Sequence, residues 1–117
     1  MRIGVTISRD WDDWLTVEEA LTEVTQGISY HKVTLIHGAS QTDFFIAGLA
    51  YAFGMDLEPH PADWVNFPRS AGMIRNDEMV STGADVWLAF IKGGSRGASH
   101  CAAAAEKAGI PVKRYLA

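Results

Sequence analysis

Apolar residues fall along this chain in two alternating rhythms. "RIGVTI" (2–7), "KVTLIHG" (32–38) and "ADVWLAFI" (84–91) are short apolar runs with β-branched residues, and they read as buried strands. The last is apolar almost throughout, as a strand covered on both faces should be. "MDLEPH" (55–60) is a weaker strand, where Pro59 marks an end or a sheet edge, and "IPVKRYL" (110–116) completes the series. The segments between them suit helices. "TVEEALTEVTQG" (16–27) places Thr16 three residues before Glu19, a capping-box spacing, with Gly27 as the stop. "SQTDFFIAGLAYAFG" (40–54) closes on Gly54, "RSAGMIRNDEMVSTG" (69–83) closes on Gly83, and 97–108 form an alanine-rich last helix. "PADWVNFP" (61–68) is an irregular loop.

This alternation predicts an α/β fold: a single Rossmann-like three-layer domain over residues 1–117. About five mainly parallel strands in the order 3-2-1-4-5 would carry helices on both faces, with the switch point between the first and fourth strands. Ligands bind such sheets beyond the carboxyl ends of the strands. The segments expected there are "SRDW" (8–11), "HGASQTD" (37–43), "HPADW" (60–64) and "KGGSRGAS" (92–99). They hold 15 of the 36 Gly, Ser, Asp, Arg and His residues of the chain.

The helix over 43–53 has an unusual pattern. Phe45, Ile46, Leu49 and Phe53 form one apolar stripe, while Phe44, Gly48 and Tyr51 fall on the other side. A second aromatic face suits either a homo-oligomer contact or cover by a neighbouring loop or helix.

Bulk properties narrow the function classes. The net charge of −4 disfavours backbone-driven nucleic-acid binding and leaves small anionic ligands open. No apolar run approaches the roughly 18 residues of a membrane span, and no secretory leader is evident at the start. Together with the single cysteine, Cys101, this suggests a cytoplasmic protein with no internal disulfide. The four histidines show no metal-ligand spacing, and no metal or obligatory cofactor is expected.

Candidate chemistry gathers at the strand ends. A glycine-rich turn entering a helix can aim backbone N–H groups at an anion, so Gly93, Gly94, Ser95 and Gly97 are candidates for phosphate or ribose contact, with Arg96 offering a guanidinium fork. A plain strand-to-helix connection would use the same glycines. Ser8 and Arg9 end the first strand, where arginine suits phosphate or carboxylate. Gly38, Ala39 and Asp43 lie at the next helix start, where Ser40 or Asp43 would cap the helix, whether or not a ligand is also met. No nucleophile elbow is present, and Cys101 reads as a packing residue.

The strings "SRDW", "HGASQTD", "PADW", "AGMIRNDEM", "GGSRGAS" and "AGIPV", in that order, resemble the YspA-like branch of the SLOG superfamily. That superfamily groups Rossmann-like proteins related to Smf/DprA and the Lonely Guy phosphoribohydrolases, and its members occur in bacteria and their phages. The resemblance spans residues 3 to about 115. It implies a parallel α/β domain that binds a nucleotide or nucleotide-derived ligand. It adds Asp63 and Trp64 of the intact Pro-Ala-Asp-Trp, and Arg75 and Asn76 of "AGMIRNDEM", to the ligand-binding candidates. There are departures. Ile7 replaces the glycine of the Gly-Ser-Arg turn, Gln41 replaces a flexible glycine, and Ala98 replaces a threonine. The glutamate of the hydrolase branch falls on Cys101, and a thiol cannot take the carboxylate's role. Ligand binding or sensing is therefore one reading. N-glycosidic cleavage is the alternative, with Arg75 and Asp63 as its catalytic residues. A DNA-processing partner is a third, and the acidic balance opposes it.

Overall fold

β1 (Arg2–Ile7) occupies the middle of the sheet because its side chains are apolar on both faces. The computed structural model describes residues 1–117. β1 pairs in parallel with β2 (Thr34–His37) on one side and β4 (Val86–Ile91) on the other. β3 (Asp56–Pro59) and β5 (Val112–Leu116) are the edges, giving the order β3-β2-β1-β4-β5 with every pairing parallel. Burial follows position. All six residues of β4 are buried, whereas β3 and β5 are largely open. Pro59 therefore stands where its missing N–H costs least, at the end of an edge strand.

Helices cover both faces. α1 (Trp14–Val24) and α2 (Gln41–Phe53) enclose the larger core with Ile3, Val5, Leu35, Leu88 and Phe90. α3 (Ala71–Ser81) and α4 (Arg96–Lys107) pack together on the opposite face over Ile36, Met79, Trp87 and Cys101. Each large apolar side chain fully buried here contributes about 1.5–3 kcal/mol. Gly4 faces Trp87 across the β1–β4 pair, and a Cβ on Gly4 would lie 2.0 Å from the indole. The missing side chain is what lets the largest core residue lie flat on the central strand. No helix is long and apolar enough to cross a membrane.

Local signals placed most boundaries. Gly54 ends α2 with φ 98°, a left-handed conformation that favours glycine. Two expectations need correction. The α1 cap is Asp13, not Thr16; its carboxylate accepts from the Thr16 N–H and hydroxyl at 3.2 and 2.6 Å. The helix is drawn back to Trp14 because the Trp11 ring is buried against Phe90 and its Nε1 donates to the Asp13 carbonyl. On α2 the sheet-facing residues are Ile46, Ala47 and Ala50, and Phe45 is 61% exposed. Phe45 instead sets its ring beside Trp14 of α1, with centroids 5.1 Å apart.

Candidate functional site

The strand carboxyl ends open into a cleft of about 730 Å³. The turn after β1 delivers Arg9 and Asp10, the β2–α2 turn and the first turn of α2 deliver Gly38, Ala39, Ser40 and Asp43, and the start of α4 delivers Ser95, Arg96 and Gly97. The 61–70 connection adds Trp64 and Arg69, and α3 adds Gly72, Arg75 and Asn76. Four guanidiniums thus face two carboxylates, in a chain whose net charge is −4. None of these arginines takes part in the ion pairs of the molecule.

The β2–α2 turn is tightly built. His37 is buried, and its Nδ1 accepts from the Ala39 N–H at 3.1 Å. That bond holds Ala39 at φ 55°, a left-handed conformation uncommon for alanine. Burial lowers the His37 pKa against the pull of Asp43, which keeps the ring neutral and its Nδ1 free to accept. Ser40 and Asp43 form a reciprocal capping box at the start of α2: Ser40 N–H donates to Asp43 Oδ2 at 3.1 Å, and the Asp43 N–H donates to Ser40 Oγ at 3.3 Å. The Ser40 hydroxyl also donates to Asp43 Oδ2. The buried Asp43 carboxylate is thereby fixed at the cleft wall.

Arg75 reaches the same turn from α3. Its Nη1 donates to the Gly38 carbonyl and its Nε donates to Asn76 Oδ1 at 2.8 Å. Trp64 leans over Gly72, where a Cβ would sit 3.4 Å from the ring. On the opposite wall, Ser95 precedes α4 without a side-chain cap, so the first N–H groups of that helix are available to an anion.

Several expected residues have other places. Ser8 is 2% exposed; its N–H donates to the Phe90 carbonyl and its Oγ accepts from the Lys92 N–H, so it welds β1 to β4 behind the cleft. Gly93 and Gly94, with φ 60° and 66°, make the turn that brings Ser95 to the cleft, and they do not line it. Asp63 is exposed, accepts from the Asn66 backbone N–H and side-chain amide, and also lies outside the lining. Cys101 is fully buried, and burial pushes its pKa up to about 12, so the thiol is inert. The neighbouring His100 lines the cleft instead, with a buried Nδ1 that has no hydrogen-bond partner. Arg69 and His100 escaped sequence reasoning. Arg69 stands just before α3 in "FPRSAG" with no motif to mark it, and the one-residue offset between His100 and Cys101 is a helical phase that sequence spacing leaves open.

Comparison with known proteins gives one informative relationship. The chain is 41% identical to the Gene 61 protein of Mycobacterium phage D29, across 97% of this chain and 95% of that protein. No family model matches the sequence, and no solved structure matches it.

Proposed function

Since the chain belongs to the family of the Gene 61 protein of Mycobacterium phage D29, we propose that this family binds a nucleotide or nucleotide-derived ligand, as an SLOG-type domain, in the cleft at the strand carboxyl ends. The observation that carries this reading is the set of four arginines without ion-pair partners around Trp64, beside an uncapped helix start. Arg9 and Arg96 take phosphate together with the Gly97 N–H, and Trp64 offers an aromatic face to a base. The reading is one of binding rather than glycosidic cleavage. Cleavage needs a carboxylate at the reacting carbon; Asp63 is turned to Asn66 and Asp43 is engaged by Ser40, which leaves only the exposed Asp10 at the cleft rim for that role. Self-association through the exposed α2 face belongs to the same proposal.

Thermal shift and calorimetry across nucleoside phosphates test it. A bound nucleotide raises the unfolding midpoint, by up to about 2.7 kcal/mol of stability at a hundredfold excess over Kd. Arg96→Gln should weaken binding about tenfold, as the loss of one charge-assisted contact does, without lowering the midpoint of the free protein. If no nucleotide shifts the midpoint at millimolar concentration, the proposal fails.

A further inference from the structure

A second groove, of about 550 Å³, lies beside the cleft. Trp14, Phe45 and Trp64 form its aromatic walls, and Gln41 adds an amide. Arg9, Ser40 and Trp64 line both spaces, so the groove and the cleft share one wall. The Trp14 and Phe45 rings stand 5.1 Å apart, tilted by 43°. Phe45 is 61% exposed and Trp64 is 50% exposed, so each keeps a free face. Beyond the tilted contact with Trp14, packing makes no use of Phe45, because α2 rests on the sheet through other residues. Free aromatic faces select a flat ring, and Arg9 at the junction selects an anion next to it.

We infer that the ligand is a dinucleotide. Its first base lies in the main cleft against Trp64, its linking phosphates lie at Arg9, and its second ring system lies in the groove against Trp14 and Phe45. This rests on the nucleotide reading above and extends it from one ring to two. Stacking tolerates any base, so the groove sets the length of the ligand more than its sequence.

Calorimetry on the full chain, with AMP and with two adenosines joined through a 5′,5′-pyrophosphate, tests the inference. The joined compound should bind the wild type about tenfold more tightly than AMP, the gain expected from one added stacked base. Phe45→Ala should remove that advantage and leave AMP binding unchanged, and Phe45→Trp should keep it. Equal affinity for the two compounds in the wild type would overturn the inference and leave the nucleotide proposal standing. So would a Phe45→Ala variant whose only change is in sedimentation, because the groove would then be an interface between copies. If neither compound binds, the nucleotide proposal falls, and the inference falls with it.

Discussion

Arg75 of α3 donates to the carbonyl oxygen of Gly38, and so ties the helix face of the cleft to the end of β2. The approach is close enough that a side chain at position 38 would displace the guanidinium. A Cβ at position 38 would lie 2.5 Å from Arg75 Nη1 and 3.0 Å from Asp43 Oδ2. Gly38→Ala should push the guanidinium aside and cost about 1–2 kcal/mol, the scale of a hydrogen bond to a charged group. Arg75→Gln should cost a similar amount. The double variant should lose no more than either alone, because both changes break one contact. Chemical denaturation of the three variants measures this, and full additivity would contradict it.

Two histidines give the fold opposite responses to pH. His60 stands between Glu58, 2.9 Å from its Nε2, and Glu78, 2.7 Å from its Nδ1. Burial opposes its charge, but the hydrogen bonds and charges of the two carboxylates prevail and raise its pKa. That stabilisation is complete below the unfolded value of about 6.5 and is lost as pH rises through the raised folded value. His37, lowered by burial, contributes above about 6.5 and is lost as pH falls below it. Glu58, held at about 2 by hydrogen bonds from Arg2 and His60, adds a further loss as pH falls from its ordinary value of 4.5. Wild-type stability should therefore peak near pH ~6.5. His60→Gln should flatten the alkaline slope, with a larger deficit at pH 6 than at pH 9. Urea midpoints across that range decide it, and a constant deficit would exclude the His60 part.

The outer face of α2 carries the self-association proposal. Phe44 is 60% exposed, Tyr51 is 73% exposed, and nothing approaches the Gly48 Cβ position. No loop of this chain supplies the cover that the sequence left open as an alternative. Sedimentation at micromolar concentration should show an oligomer for the wild type and a monomer for Tyr51→Asp, with an unchanged thermal midpoint. A monomeric wild type would end this part of the proposal.

The sequence carried the sheet and most of the cleft. "RIGVTI" and "ADVWLAFI" announce central strands because residues covered on both faces must be continuously apolar. The cleft followed from strand order, since the segments past β1, β2 and β4 each send residues into it. What stayed hidden depends on side-chain direction. The spacing of Thr16 and Glu19 suits a cap, but the anchoring of Trp11 decides where α1 starts. α2 is apolar nearly all round, so periodicity alone could not turn Phe45 outward. Ser8 looks like a ligand contact until Lys92, distant in sequence, claims its hydroxyl oxygen. The Arg2–Glu58–His60–Glu78 network joins three separate segments, and no local pattern announces it.

The pairing of β1 has a consequence for how the protein comes into being. Ile3 pairs with Leu35 on one side but with Val86 on the other. While the chain emerges from the ribosome, β1 has one neighbour until the last third of the protein has been made. Trp87 cannot settle on Gly4, and Lys92 cannot lock Ser8, before that moment. The cleft is thus one of the last features to mature, and its contacts span the longest separations in the chain. A nascent portion that ends before β4 holds three of the four cleft arginines and none of the α4 wall, so on the proposed function ligand capture would mark completed synthesis of the domain.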